Sequence, residues 1–191
     1  MNGYMSASFV TINGFSTAYR FDGPENGRVV VLSNSLMSNY DMWDWTVPAL
    51  SDRYRVLRYD TRGHGRSAIP TGPYTIDLLA QDLSALLEAL KIPKAHIVGL
   101  SMGGMIAQTL VIEHPERAQS LISLFSVTGE FEFGSPTAEA AEVLLGPPPT
   151  ERQAYIDASP KYGVWQSKRY FDEVAVKREA ARAFDRSFYP E

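Results

Sequence analysis

Ser101 is the residue whose surroundings could do chemistry most directly. It stands in Gly99-Leu100-Ser101-Met102-Gly103, with Gly104 following, between an apolar run that reads as a buried strand and a segment that reads as a helix. A serine on a sharp strand-to-helix turn is held in a strained conformation with its hydroxyl lifted above the sheet. Small residues are needed two before and two after it, because a Cβ there would meet neighbouring backbone. The helix behind the turn offers free N–H groups to a developing oxyanion. The chemistry would be nucleophilic attack on a carbonyl. The alternative is a glycine turn of purely structural use, since the pentapeptide alone is a short pattern.

A serine hydroxyl needs a base, and histidine is the usual one. The sequence holds three histidines: His64, His96 and His114. His96 opens the strand that leads to Ser101, at the wrong end of the sheet. His114 ends the following helix, far from the turn. His64 lies in an Arg-Gly-His-Gly turn and is the remaining candidate. Among carboxylates, Asp60 reads as the partner of Arg62 or Arg66 in an ion pair or turn hydrogen bond. Glu130 could be an acid only if a histidine were there to orient. There is no cysteine, which excludes disulfides, thiolate metal sites and a cysteine nucleophile. The glycines around Ser101 lack the Lys-Ser/Thr of a P-loop, and no His/Asp/Glu cluster has metal-ligand spacing. No cofactor and no metal are expected.

The elements that must position Ser101 follow from periodicity. Ser8 to Ile12 and Phe15 to Tyr19 flank Asn13-Gly14 and predict a hairpin. Arg28 to Leu32, Tyr54 to Tyr59, His96 to Leu100 and Ser120 to Phe125 read as strands; the first, with Val29-Val30-Val31-Leu32, suits a strand buried on both faces. Leu79, Leu83, Leu86, Leu87 and Leu90 make one apolar helical stripe, with Thr75 as its cap and Asp77 in its first turn. Met102 to Glu113 is the next helix, stopped by Pro115. Strand and helix alternate from 28 to 125, which implies βαβ units in a mostly parallel sheet. From Ser135 onward the pattern is helical: Ser135-Pro136 as a start and Gly146 as a stop, Thr150 with Gln153 as a capping box for a second helix, and a third helix over Phe171 to Phe188. The expected organisation is a core over 1–130 and a helical lid over 131–191.

Three segments now stand in order: Leu32-Ser33-Asn34-Ser35-Leu36 after one strand, Asp60-Thr61-Arg62-Gly63-His64-Gly65-Arg66-Ser67 after another, and the Ser101 turn. Together they resemble the α/β-hydrolase superfamily over residues 8 to 125. Asn34-Ser35-Leu36 and Tyr40-Asp41-Met42-Trp43 look like 3-oxoadipate enol-lactonases. Leu145-Gly146-Pro147-Pro148-Pro149-Thr150 and Asp185-Arg186-Ser187-Phe188-Tyr189-Pro190 look like lids of hydrolases related to aclacinomycin methylesterases. The resemblance implies that Ser101 is the nucleophile and that the backbone N–H groups of Met102 and Leu36 hold the oxyanion. It makes His64 structural. Many members carry His-Gly where this chain has Asn34-Ser35, which places a polar side chain, Asn34 or Ser35, near the reacting carbonyl. A serine at the turn argues against haloalkane dehalogenases and epoxide hydrolases, which use a carboxylate there.

In that superfamily the acid and the histidine follow the lid. The sequence therefore reads as the first six strands and the lid of such a fold, with the later core strands absent, about 60 residues or more at the usual size of two βα units. The implied activity is hydrolysis of a small-molecule ester or lactone; the competing reading is a truncated, non-catalytic protein or binding module.

Composition bounds the partners. A net charge of -4 argues against nucleic acid. The cations Lys168, Arg169, Lys177, Arg178, Arg182 and Arg186 alternate with Asp172, Glu173, Glu179 and Asp185, as on a solvated helix face. No apolar run spans a bilayer and no secretory signal is visible at the start, so a cytoplasmic protein is expected. Trp43, Trp45 and Trp165 could line a pocket, although aromatics at such positions are more often core. Oligomeric state is not written in the sequence.

Overall fold

The computed structural model describes residues 7–130 and 134–187. It divides into two compact units, 1–130 and 131–191. The first begins with β1 (Ser8–Ile12) and β2 (Phe15–Asp22), an antiparallel hairpin in which Ile12 faces Phe15. Asn13 and Gly14 both take positive φ, 46° and 83°, as a two-residue turn matched to the strand twist requires. Then come β3 (Arg28–Ser33), a 3₁₀ turn at Tyr40–Trp43, α1 (Val47–Leu50), β4 (Tyr54–Tyr59), α2 (Ile76–Ala89), β5 (Ala95–Leu100), α3 (Met102–Glu113) and β6 (Ala118–Leu124). The sheet order is β1-β2-β4-β3-β5-β6. β2 meets β4 antiparallel, and β4, β3, β5 and β6 are parallel to one another. This is the α/β-hydrolase fold that the sequence predicts.

The unbroken apolar run of β3 has a simple cause. Successive residues point to opposite faces of a strand, so a strand covered on both sides has no polar face. Val31, Leu57 and Ile97 pack on the side of α2 and α3, against Leu79, Leu83, Leu86, Leu87, Ile106 and Leu110. Val30, Leu32 and Val56 pack on the other side, against Trp43 and Val47. Thr75 caps α2, accepting from the Leu78 amide. β6 pairs with β5 alone among the described residues, and Leu121, Ile122 and Leu124 on it are 37%, 50% and 39% exposed.

The second unit contains α4 (Ala138–Leu145), α5 (Arg152–Ala158), a 3₁₀ stretch over Ser159–Trp165 and α6 (Glu173–Ser187), with no strand among its described residues. Its helix starts differ from expectation. Thr137, not Ser135, caps α4, because its hydroxyl reaches the Ala140 amide. The capping box at Thr150 does not form: α5 starts one residue later, after Glu151, which makes no side-chain cap, and Gln153 bonds Asp157 instead. α6 starts at Glu173 rather than Phe171, with the Asp172 carboxylate accepting from the Ala175 amide; Phe188 lies outside the described residues. Lys177–Glu173 and Arg182–Glu179 form exposed pairs along α6, which is the solvated face expected there.

One buried ion pair ties the first unit together. Arg62, on the turn after β4, grips the Asp82 carboxylate of α2 with Nε and Nη2, and the Asn13 amide of the hairpin turn adds a third bond at 2.8 Å. Both members are nearly buried, at 7% and 4% exposure. Removing one member of such a pair strands a charge, at about 3–5 kcal/mol. We expect Asp82→Ala to lower the unfolding free energy by about that amount, measured by urea denaturation with Asp77→Ala as the exposed-face control.

Candidate active site

β5 and α3 meet at Ser101, whose backbone lies at φ 54°, ψ −119°. For a residue with a Cβ this is a strained conformation, and such strain persists only where the surroundings over-determine it. Three bonds do so. The Ser101 amide donates to the Leu124 carbonyl at 2.9 Å, and the Ser101 carbonyl accepts from Gly104 at 2.9 Å and Met105 at 3.2 Å. The Met102 amide is the first of the helix and has no intrahelical acceptor.

The glycines are explained by distances. A Cβ on Gly99 would stand 2.1 Å from the Gly103 carbonyl oxygen. A Cβ on Gly103 would stand 2.2 Å from the oxygen of Ser33 and 2.6 Å from that of Asn34. The start of α3 is thus pressed onto the end of β3. The register agrees: Ser33 faces Gly99 across the parallel pair. Leu36, three positions after Ser33, therefore follows the strand adjacent to the one that carries Ser101.

The segment after β3 is held by polar side chains. Ser33 and Tyr59 share a hydroxyl–hydroxyl bond of 2.9 Å, and burial holds the Tyr59 phenol far on the neutral side. The Asn34 amide donates to the Tyr59 carbonyl at 2.7 Å and accepts from the Trp43 indole at 2.9 Å. The Ser35 amide points at the Met42 sulfur, which also receives the Ser38 hydroxyl. The Leu36 amide donates to nothing among the described residues. Of the two polar side chains expected near the reacting carbonyl, Asn34 is 1% exposed with both ends of its carboxamide engaged inward, which corrects that half of the expectation, while Ser35 is half-buried.

Asp60 takes the structural role. It is fully buried, its oxygens accept from the Tyr40 and Arg66 amides, and Arg66 lies 4.0 Å away. Burial raises its pKa above the ordinary carboxylate value, opposed by those two amide bonds. Arg62, the other partner considered, pairs with Asp82 instead.

None of the three histidines bonds Ser101. His64 turns Nδ1 to the Arg62 carbonyl at 3.0 Å. His96 bonds the Ser120 hydroxyl at 2.8 Å from the start of β5, about 16 Å from Ser101 by strand rise. His114 sits at the far end of α3, about 18 Å along the helix, beside Glu116. Glu130 is exposed. Of the tryptophans, Trp43 is core at 5% exposure while Trp45 and Trp165 are exposed. Among the described residues no group of three or more His, Asp or Glu could hold a metal ion, and no helix is long and apolar enough to cross a membrane.

A serine on a strained strand-to-helix turn, backed by unpaired amides at the C-terminal ends of parallel strands, defines a class as well as a site. The family model described as alpha/beta hydrolase fold matches residues 28–178, and the chain belongs to that family. 3-Oxoadipate enol-lactonase 2 of Acinetobacter baylyi is 43% identical over 113 residues, which is 59% of this chain and 42% of that protein. The crystal structure of an enol-lactonase from Burkholderia xenovorans is 37% identical with a TM-score of 0.74, covering 93% of this chain and 67% of that one. A meta-cleavage product hydrolase from Pseudomonas fluorescens, at 24% identity and a TM-score of 0.79 over 96% of this chain and 64% of that one, shares the fold. The chain spans about two-fifths of the length of the curated enol-lactonases it matches, 42% and 40%.

The contact at Gly103 yields a test. Gly103→Ala must force α3 away from the Ser33 and Asn34 carbonyls. Overpacking of this kind costs about 1–3 kcal/mol. We expect a loss of that size in thermal or urea unfolding, while Gly129→Ala, where the added carbon meets nothing, gives a smaller loss from its positive φ alone.

Proposed function

We propose that this chain carries the nucleophile and oxyanion site of a hydrolase acting on small-molecule esters or lactones. Ser101 is the nucleophile. Its oxygen attacks the carbonyl carbon, and the resulting oxyanion is received by the backbone N–H groups of Met102 and Leu36. The observation that carries this reading is the Ser101 backbone at φ 54°, ψ −119°, held by neighbours that leave no room for a Cβ at Gly99 or Gly103. The similarity to enol-lactonases supports a lactone or ester as the substrate class.

The base that takes the Ser101 proton is a histidine other than His64, His96 and His114, each of which is engaged elsewhere. The 191 residues alone then hold half of the machinery. With a triad member missing, oxyanion stabilisation and binding still supply about 10³–10⁴-fold over water. A second reading, a binding protein without turnover, draws on the same histidine positions.

The two are separated by hydrolysis of p-nitrophenyl acetate and a simple enol lactone by the 191-residue chain beside Ser101→Ala. We expect slow hydrolysis, above the rate in water, in the chain and in Ser101→Ala alike, because the residual rate comes from the oxyanion amides and binding. No acceleration over water in either protein favours the binding protein. Turnover at ordinary enzyme rates shows that a base lies within these residues, and His64→Ala is then the variant to measure.

A further inference from the structure

We infer that Asn34 is a positioning residue for the oxyanion site: its buried carboxamide, through Trp43 and the Tyr59 carbonyl, fixes where the Leu36 amide stands. The inference rests on the reading of Leu36 as an oxyanion donor. Between β3 and the turn at Tyr40–Trp43 the chain must leave the sheet, present one free N–H and return. A short loop does not hold an amide in place by itself, so something must brace it on both sides of Leu36.

On the near side that brace is Asn34. At 1% exposure its Nδ2 donates to the Tyr59 carbonyl at 2.7 Å and its Oδ1 accepts from the Trp43 indole at 2.9 Å. With a donor fixed at one end and an acceptor at the other, the carboxamide has one orientation. On the far side the Met42 sulfur takes the Ser35 amide at 3.4 Å and the Ser38 hydroxyl at 3.1 Å. That occupies the N–H next to Leu36 and leaves the Leu36 N–H free. Met37 follows at φ 58°, a left-handed conformation that a methionine keeps only under constraint.

The Asn34 backbone carries the second half of the link. Its carbonyl oxygen lies 2.6 Å from where a Gly103 Cβ would be, next to Met102. Asn34 therefore connects both donors: Leu36 two residues along its own chain, and Met102 through the packed start of α3. A histidine or any larger ring at this position would need different partners at Tyr59 and Trp43. The carboxamide acts through the backbone and does not touch substrate.

The experiment uses the full chain with Ser101→Cys. The sequence has no other cysteine, so the thiol is unique. A thiolate needs no base to attack, which makes the measurement independent of which residue is the base. An aryl trifluoromethyl ketone forms a reversible adduct with it. A carbon–sulfur bond forms, the carbonyl π electrons move to oxygen, and the product is a tetrahedral oxyanion. In ¹H–¹⁵N spectra the Leu36 amide proton moves downfield as the adduct forms.

Adding Asn34→Ala or Trp43→Phe abolishes that movement and weakens ketone binding about tenfold or more, against about 100-fold for outright loss of a donor. Alkylation by iodoacetamide, which makes no oxyanion, stays within about twofold; Trp43→Phe keeps a ring in the core and carries the test should Asn34→Ala fail to fold. An undiminished Leu36 movement in both variants overturns the inference and leaves the oxyanion reading standing. No movement without either variant overturns the oxyanion reading, and the inference with it.

Discussion

Everything in the site depends on one close approach of backbone to backbone. The first turn of α3 lies on the carbonyls of Ser33 and Asn34, and a single Cβ at Gly103 would fill the gap. That approach brings the end of β3 and the start of α3 to a common origin. From it run the two segments that matter, Ser101 with Met102 on one side and Ser35 with Leu36 on the other. Gly99 obeys the same limit from inside the turn. The proposed chemistry needs the Ser101 oxygen within reach of a carbonyl carbon and two amides within hydrogen-bond distance of that carbonyl's oxygen, and side chains alone do not set backbone amides to that tolerance.

The polar interior serves the same end. In the turns that leave β3 and β4, buried hydrogen bonds add to the hydrophobic contact that Tyr40 and Trp43 supply. Asp60 gathers the Tyr40 and Arg66 amides, and its carboxylate fills the space that a Cβ on Gly65 would need. Ser67 bonds the Asp60 carbonyl and receives the Ala18 amide. Arg58, 2% exposed within β4, is neutralised by Asp22 and Asp44 and lies over the Tyr40 ring. A network of this kind is costly when incomplete and rigid when satisfied. Rigidity is what the proposed oxyanion site would need, because amides that must reorient during attack lose most of their value.

The sequence carried the parts of this that depend on local periodicity. The β3 run, the leucine stripe of α2, the Asn13-Gly14 turn and the Ser101 turn all express rules that operate within one element. Three things were out of its reach. The 3₁₀ turn at Tyr40–Trp43 and the four residues of α1 are too short to show a period and are set by an Asn39 cap and by packing on β3. The partner of Arg62 lies twenty positions away on α2, where spacing says nothing, so the nearer Asp60 looked equally good. The direction of Asn34 depends on a tryptophan and a carbonyl from two other segments. In the second unit several residues could cap each helix, and the choice among Ser135, Thr137 and Thr150 fell to backbone geometry.

The central claim is that the turn at residue 101 presents its side chain to the unpaired amides at the start of α3. The most direct measurement is the pKa of the unique thiol in Ser101→Cys, read from the pH dependence of its alkylation by iodoacetamide. An unperturbed cysteine titrates near pH 8.5, and a helix N-terminus lowers that to about 7.5 or below. We expect a value below about 7.5. A value at or above about 8.5 would mean that the side chain at this turn does not face those amides, and would contradict that claim.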